Sequence, residues 1–173
     1  MLTATDLHII LPAATGANID KFWQPLNDAM DEFSINSGVR QAAFLAQIGH
    51  ESGSFRYVRE LASGDAYEGR ADLGNTEPGD GVRFKGRGLI QITGRANYAS
   101  CGAALGLDLL AGPEILEQPE NACRSAGWFW STHGCNELAD SGNFQKLTRR
   151  INGGLNGLVE REAIWKRAKE QLT

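Results

Sequence analysis

Two carboxylates sit nine residues apart, Glu51 in the run His50-Glu51-Ser52-Gly53 and Glu60 beyond it. Glu51 closes an Ala- and Leu-rich segment just ahead of a glycine. Apolar neighbours such as Phe44, Leu45 and Ile48 would withdraw water from its carboxyl and favour the protonated form. Glycosidases hold a general acid near neutral pH by that device. A plain solvated glutamate at a helix end fits the same letters. Along an unbroken helix nine residues turn through about 900°, which would set the two carboxylates on opposite faces. Gly53 interrupts such a helix. If residues 55–60 return in extended form, Arg56, Val58 and Glu60 share one side, and Glu60 faces Glu51 across a cleft. Paired carboxylates are the equipment of glycoside hydrolysis: a gap of roughly 6.5–9.5 Å gives inversion and about 5 Å gives retention. Asp65, Glu68 and Asp72 are rival second carboxylates. A zinc site of the H-E-x-x-H type would need histidine at position 54, where Ser54 stands. The only histidines are His8, His50 and His133, so no metal is expected.

Further along runs Gly86-Arg87-Gly88-Leu89-Ile90-Gln91-Ile92-Thr93. The glycines would let a ligand approach the backbone. Gln91 and Thr93 offer an amide and a hydroxyl suited to sugar hydroxyls, an N-acetyl group or a positioned water. A surface strand with a merely wet polar face reads the same way. The pattern G-x-x-x-x-G-K-[ST] of a phosphate loop is absent. Arg161 falls on the apolar stripe of the last helix; it either snorkels to solvent or meets an inward carboxylate. Trp128, Phe129, Trp130 and Trp165 have the chemistry to stack on sugars, and at helical spacing they equally suit a core.

The elements that must position these groups are mostly helices. Spacing predicts a helix over 20–35, and another over 39–51 with its start at Ser37-Gly38 and its end at Gly53. A third opens at Pro119, a shorter one covers 143–150, and the last spans 157–171 after the break at Asn152-Gly153-Gly154. Residues 63–82 read as a long polar loop, functional or mobile. Residues 84–94 read as a strand or extended segment, with Ile90 and Ile92 on one face and Lys85, Arg87, Leu89, Gln91 and Thr93 on the other.

Composition limits the alternatives. The 173 residues suit one domain, 1–173, large enough to bury a core without staples. With 42% apolar and 22% charged residues, disorder and fibrous folds are excluded. No run approaches the roughly 18 apolar residues of a membrane span, so no stable membrane insertion is expected. The net charge of −4 argues against nucleic acid as a partner, and any polyanion would have to meet a local patch. Cys101, Cys123 and Cys135 form no C-x-x-C pair. The apolar run Leu7–Leu11 has no basic residue ahead of it and does not read as a signal peptide. Buried reduced thiols are therefore expected over a disulfide framework, with one bridge among the three as the alternative.

Together these segments resemble glycoside hydrolase family 19, the chitinase family with a lysozyme-like, mainly α-helical fold and little β structure, and within it the phage and prophage endolysins. The resemblance is carried by His50-Glu51-Ser52-Gly53 with Glu60, by Tyr67-Glu68-Gly69-Arg70, and by Asp72-Leu73-Gly74-Asn75-Thr76. Phe84 through Tyr98 and Ile151-Asn152-Gly153-Gly154 complete it. It runs from about residue 38 to 165, and residues 1–37 ahead of it are too few for a separate wall-binding module.

The resemblance implies that Glu51 is the general acid and Glu60 the general base of an inverting hydrolysis. It places Thr93 beside the attacking water, and Gln91, Asn97, Tyr98 and Asn152 on substrate. It places Arg161 in the network around the second carboxylate. Plant members have H-E-T, disulfides and a proline where this chain has Ser52, three cysteines and Leu89. Those departures suit an endolysin cutting β-1,4 bonds in the glycan strands of peptidoglycan. Such an enzyme works as a monomer without a cofactor. It accumulates in the host cytoplasm and reaches the wall through the lesion made by a holin. A chitinase of the same fold and a lytic transglycosylase are the competing activities.

Overall fold

Nine α-helices and three short 3-10 turns account for the regular structure of the computed structural model, which describes residues 1–173. The helix expected over 39–51 is α3, Gly38–Glu51; Ser37 caps it by accepting the Arg40 N–H. Pro119 opens α6, Pro119–Thr132, and the last two helices are α8, Phe144–Asn152, and α9, Leu158–Leu172. The helix expected from residue 20 starts earlier: α2 is Gly16–Glu32, capped by Thr15, and contains Pro25. Four helices were not foreseen: α1 (Ala4–Ile10), α4 (Asp80–Arg83), α5 (Arg95–Leu105) and α7 (Cys135–Asp140). α1, α4 and α7 are too short for periodicity to register, and α5 is rich in Ala with little amphipathic contrast. No helix is long and apolar enough to cross a membrane.

Residues 1–37 are not an appendage. Leu2, Leu7, Ile10 and Leu11 join Ile19, Phe22, Leu26 and Met30 in the larger of two cores, where α3 lies against α9 and α2 against α6. Trp130 is fully buried there, edge-on to Phe44 with ring centroids 5.2 Å apart. Trp165 stacks on Phe144 at 4.3 Å, so these aromatics pack rather than wait for sugar. The smaller core gathers Phe84, Ile92, Tyr98, Cys101, Leu105, Leu109 and Leu116. All three cysteines are free and buried. Burial pushes the Cys101 and Cys135 thiols up to about 12 and that of Cys123 well above its ordinary value, so all three remain inert thiols.

The strand expected over 84–94 is instead a tight reversal. Arg87 and Ile92 exchange both backbone hydrogen bonds, at 2.7 and 3.1 Å. Consecutive Leu89 and Ile90 enter the larger core, while Ile92 enters the smaller one. Two-residue alternation fails because the chain turns between them. The reversal thereby pins the two cores together and leaves Gln91 at their junction with φ of +49°, a left-handed conformation rare outside glycine.

The segment 63–82 is tethered rather than loose. Glu68 accepts the Gly79 and Gly81 N–H groups at 2.7 and 2.8 Å, at the start of α4, Asp80–Arg83. Asp80, only 1% exposed, takes two hydrogen bonds from Arg95 and one from the Glu77 N–H. Asn75, fully buried, links the Tyr67 carbonyl to the Arg95 N–H.

Two expectations follow. At Gly157, φ is +70° and a Cβ would sit 2.1 Å from the His50 ring. Gly157→Ala should cost about 1–3 kcal/mol from backbone strain and crowding, measured by denaturant unfolding. The Arg95 guanidinium beside Asp80 holds its carboxyl below the ordinary range. The unfolded chain therefore binds more protons as pH falls through about 4. The stability that Asp80 contributes should be present above that pH and be lost as pH drops toward its lower folded value. Asp80→Asn should flatten part of the acid slope in unfolding curves taken from pH 7 to pH 3.

Candidate active site

Glu51 is the last residue of α3, and the turn that follows it is built by Ser52. Fully buried, Ser52 donates to the Ile48 carbonyl at 2.6 Å and accepts the Phe55 N–H at 2.9 Å. Ser54 and Phe55 adopt φ values of +59° and +67°, which swings the chain back. The returning segment then pairs with the 87–92 reversal: the Glu60 N–H donates to Gly86 O, and the Gly88 N–H donates to Val58 O. The extended return expected for 55–60 thus forms at its far end. Glu51 and Glu60 line one cleft of about 380 Å³ with Tyr57, Arg59 and Gln91.

The two carboxylates are anchored differently. Glu51 Oε1 accepts from Arg161 Nη2 at 2.5 Å, and no protein donor reaches its Oε2. Arg161 is fully buried. It also donates to Gln47 Oε1 at 2.6 Å and to the Asn156 carbonyl at 3.1 Å, so each of its three nitrogens has an acceptor. Glu60 Oε1 accepts from the Tyr67 hydroxyl at 2.9 Å, and its Oε2 from the Gly86 N–H at 3.1 Å. Burial, together with the Glu60 carboxylate it serves, pushes the Tyr67 phenol up and keeps it a donor. Both donors present hydrogens to a carboxylate, the form in which a general base works.

Arg161 was expected around the second carboxylate, and it pairs with the first. The neighbour that Glu51 meets is accordingly this cation rather than an apolar wall; Phe44, Leu45 and Ile48 face the core. Tyr98 was expected on substrate and is fully buried. Its hydroxyl donates to Lys85 O at 2.6 Å and accepts from Arg87, and burial pushes it up to about 12. Its role is to brace the 85–87 backbone. The rival Glu68 is used up by the Gly79 and Gly81 N–H groups, Asp72 pairs with Arg70, and Asp65 accepts from Ser63.

Gln91 donates to Gly88 O at 3.1 Å and lines both the carboxylate cleft and an adjoining hollow of about 190 Å³. Thr93 and Asn97 line only that hollow, beside Trp128, Phe129 and His133. Thr93 donates to Gln91 O at 3.1 Å, and no direct hydrogen bond joins it to Glu60. Asn97, exposed, donates to Thr93 O at 2.8 Å. Asn152 ends α8, and its side-chain oxygen is buried with no protein partner.

The glycines of the 86–88 run serve the site's own packing. A Cβ at Gly86 would lie 2.5 Å from Gln91 Oε1 and 3.3 Å from Glu60 Oε2; one at Gly88 would lie 2.6 Å from Ser125 Oγ. Side chains of the protein, not a ligand, make the close approach. Tyr67, Gln47 and Arg59 are the site residues that sequence reasoning passed over. Nothing in their local spacing signals contacts made across the fold; only the place of Tyr67 in the Tyr67-Glu68-Gly69-Arg70 motif pointed toward it. No three His, Cys, Asp or Glu side chains converge as metal ligands would.

Comparison with known proteins places this arrangement. The family model described as chitinase class I matches residues 33–141. A glycosyl hydrolase family 19 domain-containing protein of Haemophilus influenzae is 32% identical, over 96% of this chain and 94% of its own length. An endochitinase of Arabidopsis thaliana is 44% identical over 65% of this chain, a match that spans 39% of the plant protein. Among solved structures, chitinase C from Streptomyces griseus HUT6037 superposes with a TM-score of 0.79 at 26% identity, covering 98% of this chain and 76% of that one. The cleft with its two carboxylates is thus set in the lysozyme-like, mainly α fold of a chitinase-like glycosidase, and the chain belongs to glycoside hydrolase family 19.

Proposed function

We propose that this enzyme hydrolyses the β-1,4 glycosidic bonds of bacterial peptidoglycan as an endolysin, with Glu51 as general acid and Glu60 as general base. The observation that carries the reading is the single cleft shared by these two differently anchored carboxylates. Glu51, oriented through Oε1 by Arg161, takes up a proton from solvent on the Oε2 that no protein donor reaches and gives it to the glycosidic oxygen. Glu60, held by Tyr67 and Gly86, takes a proton from a water on the opposite face of the sugar. That water attacks the anomeric carbon, the bond to the leaving sugar breaks, and the configuration inverts. Gln91, Thr93 and Asn97 bind the neighbouring sugars along the two connected hollows, and the unpartnered Asn152 oxygen accepts from an amide or hydroxyl of the glycan.

Ser52 and Leu89 in place of the plant family's threonine and proline, together with thiols in place of disulfides, support a bacterial wall substrate. In this reading the enzyme acts as a monomer without a cofactor. It is made in the host cytoplasm and meets its substrate once a holin has opened the membrane. Chitin is the second reading, favoured by the endochitinases among its relatives.

Mass spectrometry of purified peptidoglycan after digestion separates the possibilities. The wild type should release soluble muropeptides with ordinary reducing ends. Glu51→Gln should release none while keeping its helical circular dichroism. That variant should also be less stable by up to ~3–5 kcal/mol, because the buried Arg161 charge loses its counter-charge. Anhydro-sugar ends would instead indicate a transglycosylase, and turnover of chitin oligomers alone would replace peptidoglycan by chitin.

A further inference from the structure

The segment that carries the chain from Glu51 to Glu60 also carries two arginines, and one of them enters the cleft. Arg59 lines it beside both carboxylates, with its side chain 58% exposed. Its one ion pair is with Glu117 at 3.9 Å, whose other oxygen is taken by Arg87 at 2.9 Å. Arg59 is therefore loosely held, and Glu117 is already neutralised by a better-placed partner. The other guanidinium at the site, Arg161, is buried and saturated by Glu51, Gln47 and Asn156. Of the residues lining this cleft, Arg59 alone brings a positive charge that an incoming anion can use.

Two more cations stand at the rim without a carboxylate partner. Arg56 lies over the Tyr57 ring at 5.9 Å, and Tyr57 lines the cleft. Lys85 Nζ donates to the carbonyl of Ala62, another lining residue, at 2.8 Å. A neutral glycan has no use for this charge. An anionic glycan needs it, since Glu51 and Glu60 would otherwise repel a carboxylate entering a chain of net charge −4.

We propose that Arg59 is a specificity-determining residue that pairs with a carboxylate borne on the sugar, the lactyl or stem-peptide carboxylate of a muramic-acid unit, with Arg56 and Lys85 drawing the strand toward it. The guanidinium fork matches a carboxylate with two parallel hydrogen bonds, a geometry that lysine does not reproduce. This deepens the peptidoglycan reading above and rests on it.

The test compares kcat/KM of wild type, Arg59→Ala and Arg59→Lys on three substrates: solubilised peptidoglycan strands, the same strands with carboxyls amidated by carbodiimide and ammonia, and neutral chitin oligomers. Arg59→Ala should lose about tenfold or more on the native strands, the scale of one charge-assisted hydrogen bond, with its main effect on KM. It should change less than about twofold on the amidated strands and on chitin oligomers. Arg59→Lys should recover part of the loss. The exposed position makes unfolding an unsuitable explanation, and an unchanged Tm checks this. Equal losses on charged and neutral substrates would overturn the role of Arg59 while leaving peptidoglycan as the substrate. Absence of any wild-type cleavage of native strands, with chitin oligomers still cut, would overturn both.

Discussion

A guanidinium with no exposure to solvent sits at the foot of the cleft, and much of the site follows from satisfying it. Burying an unpaired charge is prohibitive, so Arg161 must be surrounded by acceptors. Glu51 supplies the counter-charge, Gln47 an amide oxygen, and Asn156 a backbone carbonyl just ahead of α9. Gln47 in turn donates to Thr148 on α8 at 2.9 Å, and Thr148 donates to the Phe144 carbonyl. One polar network therefore ties α3, α8 and α9 together and ends on the Glu51 carboxylate in the cleft. His50 and Glu160, the residues adjacent to Glu51 and Arg161, repeat the contact at 2.8 Å on the outer side. The ring of His50 lies where only a glycine at position 157 leaves room for it.

The second carboxylate is positioned by a different device. Glu60 belongs to a short extended segment, and its place depends on the backbone of Gly86 and the hydroxyl of Tyr67. Both come from stretches that are irregular in the usual sense but heavily hydrogen-bonded. Asp80 and Arg95 hold the 63–82 segment against α5, and the 87–92 reversal is nailed into two cores at once. Glu51 thus rides on a helix end and Glu60 on a braced loop. The cleft between them depends on the packing of two hydrophobic cores that share one turn.

The sequence was most readable where local chemistry sets structure. Ser37 as a cap, Pro119 as a first helical residue, and Gly53 and Gly153 as stops marked α3, α6 and α8 to within a residue or two. It was least readable where the answer lies across the fold. Alternation over residues 84–94 mimicked a strand because Leu89 and Ile90 serve the core from inside a reversal. Tyr98 and Arg161 look like ligand-binding types, and only burial shows that both act on the protein itself. The glycines at 86 and 88 suggested a ligand against the backbone, yet Gln91, Glu60 and Ser125 fill that space. The pairing of Glu51 with Glu60 was accessible from the sequence only through the assumption of a return after Gly53. That return is made by two non-glycine residues with positive φ, which no propensity rule anticipates.

In the proposed mechanism Glu51 and Glu60 divide the work of one inverting displacement. The most direct measurement is the anomeric configuration of the newly formed reducing end, followed by proton NMR during digestion of a soluble β-linked oligosaccharide before mutarotation sets in. With inversion the α anomer should appear first and relax toward the equilibrium mixture. First appearance of the β anomer would show retention and would remove Glu60 from its role as the base that activates water.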